Sequence, residues 1–186
     1  FGINGVKRMF GIDKNANKGM DFSGYAAFFD RIKNKPDAYV ILTNSSVNAA
    51  QNDFLESYIR CMERHPEIGM LGISYCTRMF QSLVRNNFTP HLQSFFLLTT
   101  TSVLREIVAS NQNRFPGAGI GHKLLLIRKG EVALSRLVLR LGYRLAVIRP
   151  ENGALFLFTD YRRWNIPRGD IRQTLSEPNK ITEVRL

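Results

Sequence analysis

Apolar runs alternate along the chain with segments whose apolar residues recur at helical spacing, a pattern typical of strands followed by helices. The apolar runs predict β-strands over residues 6–12, 38–42, 68–73, 92–99 and 144–148. The helical spacing predicts α-helices over residues 21–32, 53–62, 103–108 and 131–141. Because strands and helices alternate, we expect an α/β fold, a three-layer α/β/α sandwich with a mostly parallel sheet.

Several residues suited to helix ends mark the boundaries of these helices. Asp21 stands where an N-cap is expected for the first helix, and Glu131 opens the last one. Gly142 follows the last helix, at a position where glycine commonly ends a helix. Residues 115–121 hold three glycines after Phe-Pro and are interpreted as a flexible loop over a site.

The length and composition predict one domain followed by a tail. A chain of 186 residues with 44% hydrophobic residues can bury one core, which we assign to residues 1–159. Residues 160–186 are polar and are predicted to form a basic tail, interpreted as a solvated surface, with contact to anionic lipid as the alternative. Around Trp164 this tail carries Arg162, Arg163, Arg168 and Arg172.

The formal net charge of +11 indicates an anionic partner, which could be nucleic acid, a membrane surface or a phosphorylated substrate. The basic residues are scattered along the chain, and the sequence contains no zinc finger, RNP aromatic pattern or leucine zipper. We therefore do not expect nucleic acid as a partner. A basic nucleic-acid-binding α/β domain is kept as the least favoured hypothesis of function.

The two cysteines and the short apolar runs give information about the cellular location of the protein. Cys61 and Cys76 have neither metal-ligand nor disulfide-framework spacing, which favours a reducing, cytoplasmic compartment. No apolar run approaches the roughly 18 residues that span a bilayer, so no transmembrane helix is expected. The chain begins at Phe1 rather than Met, which suggests a cut or processed amino terminus.

Two loops follow predicted strands at the sheet edge where open α/β sheets bind ligands. Residues 17–21 combine a lysine, a glycine and a helix start, a suitable place for phosphate to meet backbone N–H groups. Residues 43–46 end a strand in four small hydrogen-bonding side chains. On spacing alone, ordinary turn and cap chemistry is the favoured interpretation of both loops.

Four segments of the chain, in order, resemble the glycosyltransferases related to rhamnan synthesis protein F. Residues 17–25 (NKGMDFSGY) resemble that family's Asn-x-Gly-x-Asp segment, and residues 39–47 (YVILTNSSV) its strand ending in Asn-Asp-Ser. Residues 91–97 (HLQSFFL) resemble its His-x-Gln-Ser-Tyr-Phe segment, and residues 130–143 its Glu-containing helix ending in Gly-Tyr. The resemblance implies a GT-A fold that transfers a sugar from a nucleotide diphosphate donor to a glycan or lipid-linked polysaccharide precursor, at the cytoplasmic membrane face.

The resemblance also implies a set of site residues. Glu131 is the candidate catalytic base, because the helix dipole at a helix start favours the ionised carboxylate. Candidate acceptor-binding residues are His91 and Gln93, which a single strand would place on one face. Ordinary structural roles are the alternatives for each of them. The candidate donor-binding residues are Asn17, Lys18, Gly19, Asp21, Asn44, Ser45 and Ser46.

The chain departs from the family pattern in two ways. Where related enzymes keep an acidic metal site, Asn44-Ser45-Ser46 supplies no carboxylate, so no residue is assigned as a metal ligand. The resemblance still allows a divalent cation, Mg²⁺ or Mn²⁺, bound together with the nucleotide sugar. The resemblance also leads us to expect that this sequence begins after the strands that hold the nucleoside in a GT-A domain. The alternative function is therefore a non-catalytic glycan- or nucleotide-binding module derived from the GT-A fold.

Overall fold

A computed structural model of the chain describes residues 20–44, 54–73, 75–78, 88–148, 154–158 and 181–185. The helices are α1 (Met20–Ile32), α2 (Phe54–Arg64), α3 (Thr101–Ser110), α4 (Lys123–Leu126) and α5 (Ala133–Arg140), with a π-helical turn (Ile127–Val132) between the last two. The strands are β1 (Tyr39–Thr43), β2 (Ile68–Gly72), β3 (Tyr75–Arg78), β4 (Phe88–Leu92), β5 (Phe96–Thr100), β6 (Arg144–Ile148), β7 (Ala154–Phe158) and β8 (Ile181–Arg185). The predicted α/β class is confirmed. The predicted strand over residues 6–12 lies outside the described residues.

The main sheet is mixed, with strand order β1-β5-β2-β6-β7-β8. Only β2 and β6 run parallel, and the other neighbouring pairs of described strands are antiparallel. The prediction of a mostly parallel sheet is therefore wrong for this part of the chain. An apolar strand buried on both faces has much the same composition in either direction, so its sequence does not reveal how it pairs.

The strand predicted over residues 92–99 is in fact divided between two sheets. β4 ends at Leu92 and pairs with β3 in a separate two-stranded antiparallel sheet, with Cys76 opposite His91. After a turn at residues 93–95, β5 enters the main sheet between β1 and β2. His91 and Gln93 therefore do not share one strand face, contrary to the prediction.

Two clusters of buried apolar side chains take up alternate residues of the central strands. One cluster contains Leu97 of β5 together with buried residues of α1, α3 and α5. The other contains Phe96 and Leu98 of the same strand, together with Tyr58 and Met62 of α2. Because successive strand residues point to opposite faces, α2 packs on the face of the sheet opposite to α1, α3 and α5.

The last long helix begins earlier than predicted. The residues at its internal junctions have right-handed helical dihedral angles, so α4, the π-helical turn and α5 form one continuous helix from Lys123 to Arg140. Glu131 lies in the middle of this helix rather than at its start. Gly142 has a φ of +88° directly after the helix, which confirms the predicted glycine stop.

Part of the predicted tail belongs to the sheet, because β8 pairs with β7 along its length. The arginines around Trp164 lie outside the described residues. Among the helices that the structure does describe, none has the length and apolar character needed to cross a membrane.

Candidate functional site

A group of polar side chains and backbone groups gathers where α1, β1, the β4–β5 turn and the π-helical turn meet. Each member is linked to another by a hydrogen bond or an ion pair. We call this group the Glu131 cluster. It consists of Asp21, Tyr25, Asn44, His91, Ser94 and Glu131.

The carboxylate of Glu131 is held by two partners, one in β4 and one in the turn at residues 93–95. The backbone N–H of Ser94 donates to Glu131 Oε1 at 2.8 Å, and His91 Nε2 lies 3.5 Å from Glu131 Oε2. His91 is buried, with 3% of its surface exposed, whereas the side chain of Glu131 keeps 15% exposure. Glu131 is therefore positioned from both oxygens and remains partly open to solvent.

These contacts determine the charge state of Glu131. Burial raises the pKa of a carboxyl group, but the hydrogen bonds from His91 and Ser94 outweigh it and lower the pKa of Glu131 below its ordinary value. The helix dipole does not supply this effect, because Glu131 is not at the helix start as predicted. The cluster therefore holds an ionised carboxylate at neutral pH.

Tyr25 joins α1 to the residue that binds Glu131. Its hydroxyl donates to the backbone oxygen of Ser94 at 2.6 Å, on the residue whose N–H binds Glu131. Burial raises the pKa of Tyr25, and the negative charges of Asp21 and Glu131 raise it further. Tyr25 therefore remains a neutral hydrogen-bond donor.

Asn44, at the end of β1, contacts the first turn of α1. Its side-chain amide donates to Asp21 Oδ2 at 2.6 Å, and its backbone N–H donates to Phe95 O at 3.3 Å. Asp21 lies inside the first turn of α1, since the helix begins at Met20, so it is not the N-cap that the sequence predicted. The predicted pair of donor-site loops is thus joined here by an amide–carboxylate contact.

The π-helical turn places Glu131 beside α1. A side chain added at Gly130 would come within 2.8 Å of the Phe22 ring, so glycine allows α1 to approach the turn closely. Gly117, with a φ of +78°, packs against the same ring and against the backbone of Gly130. Phe115 to Gly117 are buried, so this half of the predicted loop over the site belongs to the core.

The same helix also fixes the end of β4. The side-chain oxygen of Ser135, one turn after Glu131, accepts a hydrogen bond from the backbone N–H of Leu92 at 3.0 Å. Glu131 and Ser135 thus accept hydrogen bonds from the backbone on either side of Gln93. This arrangement holds the β4–β5 turn against the helix.

The structure places four of the residues that the sequence singled out in two contacting pairs: Asp21 with Asn44, and His91 with Glu131. Gln93 is half-buried in the turn between them. The remaining candidates lie outside the described residues: Asn17, Lys18, Gly19, Ser45 and Ser46.

Sequence reasoning did not single out Tyr25, Ser94 or Ser135. Tyr25 follows Asp21 by four residues, so helical spacing could have placed it on the same side of α1. Ser94 takes part through its backbone, which every residue type has, and no sequence signal could identify it. Ser135 would have been found by the same spacing from Glu131.

The described residues do not form a dedicated metal centre. In this part of the chain, no three His, Cys, Asp or Glu side chains converge. Asp21 offers a carboxylate to the cluster, but its Oδ2 already accepts the amide of Asn44. Neither residue is therefore assigned as a metal ligand.

Comparisons with protein-family models, with curated proteins and with solved structures find no match to this chain.

Proposed function

We propose that this chain is a glycosyltransferase domain that transfers a sugar from a nucleotide diphosphate donor to a glycan or lipid-linked precursor. The sequence resemblance supplies the family, a GT-A fold of three layers at the cytoplasmic membrane face. The observation that carries the proposal is Glu131, an ionised and partly exposed carboxylate that His91 and the Ser94 N–H hold in place.

In this proposal Glu131 accepts the proton of the acceptor hydroxyl. The acceptor oxygen attacks the anomeric carbon, the bond from that carbon to the diphosphate oxygen breaks, and the nucleoside diphosphate leaves with the bonding electrons. A carboxylate with a lowered pKa is a weak base toward a free hydroxyl. The hydroxyl becomes acidic as its oxygen bonds to carbon, so Glu131 takes the proton late in the step.

The rest of the cluster supports this role in two ways. His91 and the Ser94 N–H orient the carboxylate and favour its charged form. Asn44, directly after β1, and Asp21, in the first turn of α1, form the near side of the proposed donor site, and their polar groups are suited to bind sugar hydroxyls. A divalent cation, Mg²⁺ or Mn²⁺, would enter with the nucleotide sugar and neutralise the diphosphate.

A non-catalytic glycan- or nucleotide-binding module is the second candidate, and one observation favours it. Both oxygens of Glu131 already have partners, and together with Ser135 the residue secures the β4–β5 segment. A carboxylate with this purely positioning role would hold the binding surface in shape without receiving a proton.

The test is turnover of a panel of nucleotide diphosphate sugars by the wild type and by Glu131→Gln. Turnover is measured as the release of nucleoside diphosphate. We expect Glu131→Gln to reduce kcat by about 100- to 10,000-fold, the range typical of general base catalysis. Glu106→Gln is the matched control, because Glu106 also accepts a hydrogen bond, from the Tyr143 hydroxyl at 3.0 Å, but lies outside the cluster.

Near-normal turnover in Glu131→Gln would reject the catalytic role. If the wild type binds nucleotide sugars without turning over any of them, the binding module is the correct function. Circular dichroism of both variants shows whether a loss of activity reflects a loss of fold.

A further inference from the structure

A second surface of the domain carries a concentration of positive charge. A groove of about 1200 Å³ runs between α1, the end of α3, the segment at residues 111–120 and the last long helix. Seven cationic side chains line it, against one carboxylate, that of Asp30. The groove is therefore strongly electropositive.

Part of this charge is used within the protein. Lys33 pairs with Asp30 at 2.8 Å, and Arg105 donates to the backbone oxygens of Lys33 and Lys35 at 2.8 Å and 2.6 Å. Four further cations are exposed at the groove surface: Arg114, Arg128, Lys129 and Arg140. Arg136 also lines the groove and interacts with another group of the protein. No carboxylate other than Asp30 is among the described lining residues.

The groove is separate from the Glu131 cluster, although both use the same helix. Glu131 and Ser135 bind the β4–β5 segment, whereas Lys129, Arg136 and Arg140 line the groove. A ligand in the groove would therefore not contact the Glu131 carboxylate.

Two exposed leucines adjoin this charge. Leu124 and Leu125 are 40% and 41% exposed, and each precedes a groove cation, Arg128 or Lys129, by four residues on the same helix. Residues four apart are neighbours on a helix surface, so apolar and cationic side chains lie side by side. A soluble phosphate compound would bind only the cations, whereas a lipid surface would also cover the leucines.

We propose that this groove, together with Leu124 and Leu125, is a docking site for the phosphate headgroups of anionic phospholipids at a bilayer surface. The cations bind headgroup phosphates, and the two leucines enter the boundary between headgroups and acyl chains. This inference does not depend on the proposed catalytic role of Glu131.

The test is co-sedimentation of the chain with vesicles of phosphatidylcholine alone or of phosphatidylcholine mixed with phosphatidylglycerol. We expect binding only to the mixed vesicles, and binding that weakens as salt is added. Arg128→Gln with Lys129→Gln should lower the partition coefficient by about thirtyfold, since each basic side chain near an anionic surface contributes about fivefold. Leu124→Ala with Leu125→Ala should also lower it.

The matched control is Arg60→Gln with Arg64→Gln on α2, which removes the same charge from the opposite face of the sheet. This control should bind nearly as the wild type does. Equal losses in the two charge variants would overturn the proposal, because binding would then follow net charge alone. An absence of binding to the mixed vesicles would also overturn it.

Inorganic pyrophosphate and a single-stranded oligonucleotide provide two further comparisons. If either one binds in a manner that requires Arg128 and Lys129 while the vesicles do not bind, the groove serves a soluble phosphate ligand or a nucleic acid, and the lipid proposal is wrong. If neither binds tightly and the vesicles do, the lipid surface is supported as the occupant.

Discussion

Replacing Gly130 with alanine should destabilise the fold, because the new methyl group would collide with Phe22. The added Cβ would lie 2.8 Å, 2.9 Å and 3.0 Å from Cε2, Cζ and Cδ2 of the ring, closer than packed carbon atoms approach each other. Phe22 is only 1% exposed, and a Cβ built at Gly117 would lie 2.8 Å from the Cα of Gly130. Neither the ring nor the helix backbone therefore has free space into which to move.

The size of the effect follows from two opposing terms. Overpacking a core by one methyl group typically costs about 1–3 kcal/mol, whereas alanine in a helix is favoured over glycine by about 0.5–1 kcal/mol. From the middle of each range, we therefore expect Gly130→Ala to lower the free energy of unfolding by roughly 1.3 kcal/mol, between limits of about 0 and 2.5 kcal/mol. For a domain of this size, each kcal/mol corresponds to a fall in Tm of roughly 2–4 °C.

Gly24→Ala is the matched control for this prediction. Gly24 also lies within a helix, but a Cβ there would meet no atom within 4 Å. Only the helix-propensity term remains, so this variant should be more stable than the wild type by about 0.5–1 kcal/mol. Urea unfolding followed by circular dichroism measures both variants. If Gly130→Ala proves as stable as the wild type or more so, the close contact between Phe22 and Gly130 is refuted.

Two further predictions concern the Glu131 cluster. Tyr25→Phe keeps the ring but removes the 2.6 Å hydrogen bond to Ser94 O, so the free energy of unfolding should fall by about 1–2 kcal/mol, and an unchanged urea midpoint would contradict this. The pKa of Glu131 is lowered in the folded state, so its ionised form stabilises the fold above the ordinary value of 4.5, and this contribution disappears as the pH falls through the lowered value. The difference in free energy of unfolding between the wild type and Glu131→Gln, measured by urea unfolding across a pH series, should be largest near neutral pH and vanish in acid. A difference that grows toward acid would show that the ionised form of Glu131 does not stabilise the fold.

The strands and helices with strong apolar patterns could be predicted from the sequence, but their pairing could not. The sequence predicts β2 as a buried strand and β6 as the strand after the last helix, and the structure confirms both. The prediction joins β5 to the end of β4 because only Gln93 and Ser94 interrupt the apolar residues there, and the turn contains neither glycine nor proline. The direction of β5 depends on that turn, so the antiparallel arrangement was not visible in the pattern.

Less of the candidate site could be predicted. Glu131 was singled out, but for a helix start that the structure does not show, because the apolar pattern breaks at Arg128, Lys129 and Gly130. Asp21 and Asn44 were assigned to neighbouring loops, and their contact depends on the packing of α1 against β1. One of the two partners of Glu131 is His91, which the sequence singled out, and the other is a backbone N–H group, which has no sequence signature.

The π-helical turn gives this helix an unusual tolerance to changes in length. A π-helical turn holds about one residue more than an α-helical turn, so deletion of one residue from Ile127–Val132 could convert the turn to regular α-helix. α5 would then keep both its register and its packing, and the arginines farther along the helix would keep their direction. Only the residues inside the turn would change place, and Glu131 is one of them. A single deletion here could thus alter the chemistry of the cluster while leaving the rest of the domain intact.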